Sequence, residues 1–138
     1  MNCILYYLCY NSREGYGIYK WTNGNRYEGY WQNNLKNGKG IYYYSNGNVY
    51  NGDWVNDVKD GFGNYTWVNG DVYSGEWKLD RKDGYGRFEW ANGDIFKGNY
   101  QDGFKVGNGD FYDATTKEWK KGIWINDRLL KWINESAV

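Results

Sequence analysis

Hydrolytic or group-transfer chemistry in this chain would rest on Ser12, Ser45, Ser74 and Ser136, on Cys3 and Cys9, or on its carboxylates, because the sequence has no histidine. The commonest general acid, base and metal ligand is therefore missing. The serines fall mostly in turn or terminal positions, with no imidazole to activate them. Cys3 and Cys9 share one short apolar stretch; if it is extended they stand roughly 20 Å apart and cannot bridge each other. They read as reduced thiols, with a metal site or an intermolecular disulfide as open alternatives. Several Asp and Glu residues sit in turns, where backbone hydrogen bonding accounts for them. A chance cross-strand carboxylate pair stays open. The Gly-x-Gly phrases lie inside strands rather than between a strand and a helix, so they are not phosphate-cradling loops. No catalytic residue, metal ligand or cofactor is assigned, and the chain reads as a non-enzyme.

Composition narrows the partners. Lys+Arg and Asp+Glu are 17 each, for a net charge of zero. That balance argues against a dedicated nucleic-acid or anionic-lipid binder, which must neutralise phosphates. The basic residues Lys36 and Lys39, Arg81 and Lys82, and Lys117, Lys120 and Lys121 have acidic neighbours and read as a solvated rim. The 117–121 cluster is the main place for an anionic lipid. The opening segment, from Met1 to Tyr10, lacks a basic leader region and the length of a membrane helix, and reads as a strand.

The elements that position these residues follow from a 23-residue period. Tyr27, Tyr50, Tyr73 and Phe96 recur at that interval, each opening a Tyr-x-Gly-x-Trp phrase that ends at Trp31, Trp54, Trp77 and Tyr100. Gly-x-Gly-x-aromatic phrases recur at the same interval, from Gly15/Gly17/Tyr19 to Gly107/Gly109/Phe111. Both alternate with period two, so each repeat holds two strands. A three-residue loop, Thr22-Asn23-Gly24 with Gly24 left-handed, keeps both phrases on one face, whereas a two-residue Asn-Gly loop would split them. Parity permits the other connection to close as a four-residue loop between Gln32 and Asn37, with Trp31 opposite Gly38.

Three rows then cross the sheet. One is aromatic, one is all glycine, and the third alternates glycine with Trp31, Trp54, Trp77 and Tyr100. Glycine within a strand costs about 0.5–1 kcal/mol, recovered here where a neighbouring ring lies flat on bare backbone. The expected fold is all-β: a twisted, single-layer antiparallel meander of about six hairpin repeats. Its divisions are a capping repeat at 4–26, repeats at 27–49, 50–72, 73–95 and 96–118, and a C-terminal cap at 119–138. The Leu129–Ile133 stretch reads as a last strand in preference to a short helix. Apolar ends of this kind could join a second copy edge to edge.

These phrases resemble MORN repeats (membrane occupation and recognition nexus) over about residues 4–125. The resemblance implies an elongated single-layer sheet and a scaffold role, since similar proteins serve cytoskeletal, ciliary and membrane-junction assemblies. In some of them the repeats are appended to lipid kinases or protein methyltransferases, and phospholipid binding has been proposed for the family. The expected function is a scaffold module presenting an aromatic–glycine surface to a protein partner. That surface comprises Tyr27, Trp31, Tyr50, Trp54, Tyr73, Trp77, Phe96 and Tyr100, mainly structural, with Tyr16, Tyr43, Phe62 and Tyr85 on the opposite face. The alternatives are a peripheral membrane module and a glycan- or choline-binding surface repeat whose aromatic cages would hold quaternary ammonium groups. The expected location is cytoplasmic, within a cytoskeletal, ciliary or organellar assembly.

Overall fold

The computed structural model describes residues 8–9 and 12–133. The expectations for Cys3, for Ile4–Tyr7 and for Ser136 lie outside the described residues. Among the described residues thirteen strands follow one another: β1 (Leu8–Cys9), β2 (Ser12–Arg13), β3 (Gly15–Lys20), β4 (Arg26–Gln32), β5 (Leu35–Tyr43), β6 (Val49–Val55), β7 (Val58–Thr66), β8 (Val72–Lys78), β9 (Arg81–Glu89), β10 (Ile95–Gln101), β11 (Phe104–Asp113), β12 (Glu118–Ile125) and β13 (Arg128–Ile133). β1 and β2 pair with each other, while β3 to β13 form one antiparallel sheet in strict chain order. This is the open meander expected from the period. The C-terminal stretch is a strand, as preferred.

The aromatic and glycine rows run in register across the sheet. Tyr19 faces Tyr27, which faces Tyr42, which faces Tyr50; Gly17, Gly29, Gly40 and Gly52 align beside them. The Asn-Gly hairpins close as expected. Trp21 N–H donates to the Asn25 carbonyl at 2.9 Å, and Gly24 takes φ +93°.

The other connection does not. Gln32 pairs with Leu35 and Trp31 with Lys36, so the loop is the two residues Asn33-Asn34. Both have positive φ, 48° and 66°, as a type I′ turn requires. The same left-handed pair recurs at Asn56-Asp57, Leu79-Asp80, Asp102-Gly103 and Asn126-Asp127. The type I′ turn wins because its twist matches that of the strands. The surplus residues go into a bulge: register shifts between Gly29 and Trp31, and Gly38 takes φ +97°. Trp31 therefore faces Gly15 on one side and Lys36, not Gly38, on the other. At the far end a longer turn, closed by Lys117 N–H on the Asp113 carbonyl at 2.7 Å, absorbs the late phrase, and Gly109 still faces Gly122.

Candidate interaction surfaces

Among the described residues nine rings form the core, all on one face: Trp31, Tyr27, Trp54, Tyr50, Trp77, Tyr73, Tyr100, Phe96 and Trp124, each at most 7 % exposed. In that order each ring meets the next edge-to-face, with centroids 4.9–5.7 Å apart. The electropositive edge of one ring meets the negative face of another, contributing about 0.5–1.5 kcal/mol per pair beyond burial. The polar tips are satisfied. Tyr27, Tyr50 and Tyr73 hydroxyls donate to the carbonyls of Tyr30, Asp53 and Glu76 at 3.0 Å, and Trp31, Trp54 and Trp77 indoles donate to Gly17, Gly40 and Gly63 carbonyls.

The glycine row supplies the seats. A Cβ on Gly40, Gly63 or Gly86 would overlap the ring of Tyr27, Tyr50 or Tyr73 respectively. Burial accordingly pushes the phenols of Tyr27, Tyr50, Tyr73 and Tyr100 well above the usual tyrosine range. These eight expected surface residues, Tyr27, Trp31, Tyr50, Trp54, Tyr73, Trp77, Phe96 and Tyr100, are thus interior, and present almost no area to a partner.

A second file of rings, half-buried as far as Phe111 and ending in the exposed Trp132, runs beside the first. Tyr19, Trp21, Tyr42, Tyr44, Tyr65, Trp67, Phe88, Trp90, Phe111 and Trp132 touch in succession, with centroids 4.5–6.1 Å apart. Trp21, Tyr44, Trp67 and Trp90 follow the same 23-residue interval, each opening an Asn-Gly turn. Reading the period only through the Tyr-x-Gly-x-Trp and Gly-x-Gly phrases passes over them.

Basic side chains lie on this face too. Arg13, Lys36, Lys59, Lys82 and Lys105 are again 23 apart. The Lys36 ammonium stands 5.0–6.0 Å from the ring centroids of Trp21, Tyr27, Tyr42 and Trp54. Lys59, Lys82 and Lys105 repeat the arrangement on the rings that follow. Lys36 and Lys82, read from the sequence as solvated rim, are therefore inner lysines whose stems cover the rings. The correction follows from the tight turn, which sets the lysine opposite the tryptophan. Burial lowers the ammonium pKa of Lys59, Lys82 and Lys105.

The opposite face is sparser. Tyr16, Phe62 and Tyr85 are 55 %, 54 % and 55 % exposed, and Tyr16 meets exposed Tyr30 edge-to-face at 5.5 Å. Lys39 and Asn108 occupy the same column, so its rings are interrupted. Tyr43 is half-buried beneath the Arg26 guanidinium, 5.0 Å from its centroid. Asp53 and Glu76 on this face are engaged by the Phe62 and Tyr85 N–H groups at 2.8 and 2.7 Å. Among the described residues no three His, Cys, Asp or Glu side chains gather as a metal site, and no helix is long and apolar enough to cross a membrane.

A search of curated proteins returned no match. The family model for the MORN repeat matches five consecutive segments, residues 10–26, 27–49, 50–72, 73–95 and 96–115. The matched segments begin where the core rings Tyr27, Tyr50, Tyr73 and Phe96 stand. With most of its length so matched, and with the hairpin register those repeats imply, the chain belongs to the MORN-repeat family, a family of non-catalytic repeats.

Proposed function

We propose that this chain is a non-enzymatic scaffold module whose half-buried ring file docks another protein, as part of a cytoplasmic assembly such as a cytoskeletal, ciliary or organellar structure. The observation that carries the reading is the unbroken contact from Tyr19 to Trp132, which offers apolar area along the length of the main sheet. Contiguous apolar surface of this kind is characteristic of protein interfaces, and rigid aromatic side chains lose little entropy when they bind. The interrupted rings of the opposite face favour it less.

Choline binding is disfavoured by the lysines. The aromatic cages that would enclose a quaternary ammonium hold the chain's own ammonium groups, at 4.8–6.0 Å from the ring centroids. A membrane surface remains the competing partner class, and the same experiment separates it.

Trp67→Ser with Trp90→Ser alters the ring file, while Phe62→Ser with Tyr85→Ser alters the opposite face. Each pair is compared by circular dichroism, by affinity capture from native extract with mass spectrometry, and by flotation with anionic liposomes. Loss of a captured protein from the first pair alone, with the β-spectrum intact, supports the reading. Unchanged capture by the first pair, or flotation with no captured protein, overturns it.

A further inference from the structure

Along the tight-turn edge, successive turns are tied by one repeated contact. The second turn residue's side-chain oxygen accepts the N–H of the basic residue one repeat earlier. Asn34 takes Arg13 at 2.7 Å, Asp57 takes Lys36 at 2.8 Å, Asp80 takes Lys59 at 2.9 Å and Asp127 takes Lys105 at 2.8 Å. The turn returns its own N–H to that basic residue's carbonyl in every case, Gly103 to Lys82 included, at 2.8 Å. Two of the carboxylates also hold the ammonium, Lys36–Asp57 at 3.1 Å and Lys59–Asp80 at 3.8 Å.

Lys82 breaks the series. The turn residue that should serve it is Gly103, which has no side chain, and among the described residues no carboxylate pairs with its ammonium. Nearby acids are engaged elsewhere: Asp102 with the Arg81 guanidinium at 3.2 Å, Asp83 with the Asp102 N–H at 3.1 Å, and Asp127 with the Lys105 N–H. The rings of Tyr73, Phe88 and Tyr100 hold the ammonium in place, centroids 5.5, 5.2 and 4.8 Å away. Burial disfavours its charge and Lys105 adds repulsion, with Asp127 a partial counterweight. The space is open, since a Cβ on Gly103 would meet nothing within 4 Å.

We propose that the gap between Lys82 and Gly103 is a carboxylate-binding site, in which an acidic side chain of the docked protein takes the place of the aspartate this repeat lacks. The Lys36 and Lys59 repeats supply the template: a carboxylate there receives a backbone N–H and an ammonium together, a charge-assisted pair of contacts. The inference rests on the docking reading and adds to it the chemistry of the partner: an acidic residue lying beside the ring file, at the repeat where the internal acid is missing.

The test is amide and lysine side-chain NMR of the full chain, titrated first with acetate and then with a short peptide containing one glutamate. Saturable shifts at Lys82, at least threefold larger than those at Lys36 and Lys59, are expected. Gly103→Asp should abolish them by restoring the internal partner. Aspartate already occupies this turn position at Asp57, Asp80 and Asp127, with φ of 72°, 67° and 68°, so the variant folds in a conformation the chain uses elsewhere. In Lys82→Met, the backbone amides of residue 82 and Gly103 should no longer shift. Shifts at Lys82 no larger than at Lys59, persistence in Gly103→Asp, or a response to phosphate and phosphatidylglycerol vesicles without one to carboxylate would overturn the site. Because acetate needs no native partner, a silent titration with protein capture intact removes the carboxylate site and leaves the docking reading standing.

Discussion

Rings on the two faces of this sheet behave as opposites. Phe62 and Tyr85, on one face, are more than half exposed, while Tyr50 and Tyr73, on the other, are 0 % exposed. Ring chemistry and strand placement are alike, so the difference comes from the neighbours. Tyr50 lies against Gly52 and Gly63, where absent side chains let it reach the backbone, and Trp54 and Trp77 close over it. Phe62 has no such seat. In a single layer, a ring becomes core only where glycines two residues along its own strand and across on the next make room for it.

The contrast can be broken by pH. Tyr27, Tyr44, Tyr50, Tyr73 and Tyr100 are raised above the tyrosine value of 10.0 by burial. A raised folded pKa gives stability that is complete below the unfolded value and lost as pH rises beyond it. The lowered pKa values of Lys59, Lys82 and Lys105 act oppositely, adding stability as pH climbs towards the unfolded lysine value of 10.5. The lysine contribution is complete near that value while the phenol contribution goes on falling above it, so cooperative unfolding above about pH 10 is expected, followed by near-ultraviolet circular dichroism and tyrosinate absorbance. Retention of the native spectrum at pH 12 would contradict the buried phenols.

Substitution comes next in size. Tyr50→Ala should cost about 3–5 kcal/mol by urea denaturation, as for other large aromatic deletions from a core. Gly63→Ala should cost about 1–3 kcal/mol through overpacking. In the Tyr50→Ala background the glycine substitution should become nearly neutral, a coupling of roughly 0.5–3 kcal/mol, since the clash partner is gone. Additive costs would refute the ring-and-seat account.

Smaller again is Tyr73→Phe. Removing the hydroxyl that serves the Glu76 carbonyl should cost about 1 kcal/mol, and Phe96 shows that the seat accepts a ring without it. Phe62→Ser, on the opposite face, should stay within about 0.5 kcal/mol of the parent. A cost comparable to Tyr50→Ala would erase the distinction between the faces.

The glycine and aromatic rows were legible in the sequence because strand parity leaves little freedom once Gly24 closes a three-residue loop. The tight turns were not. Six residues between Trp31 and Gly38 satisfy parity either as a four-residue loop or as a two-residue turn with a bulge. Leu79 at φ 46° shows how strongly the tight turn is preferred, since a leucine pays steric strain there. The neighbouring repeat assists by giving its N–H the Asp60 carboxylate at 3.3 Å. Reading Lys36 and Lys82 by their charged neighbours, instead of by their 23-residue interval, hid the inner lysines for the same reason: their direction depends on the bulge.

By itself the sequence determined the period, the antiparallel meander and the dependence of each ring on its glycines. These follow from side-chain alternation and turn chemistry, which act within one hairpin. Only the tertiary structure decided which rings vanish into the core, which form a continuous accessible file, and that Lys82 alone of its column faces a glycine. Those outcomes depend on contacts made from one repeat to the next, where the path of each bulge and the reach of each side chain settle what meets what.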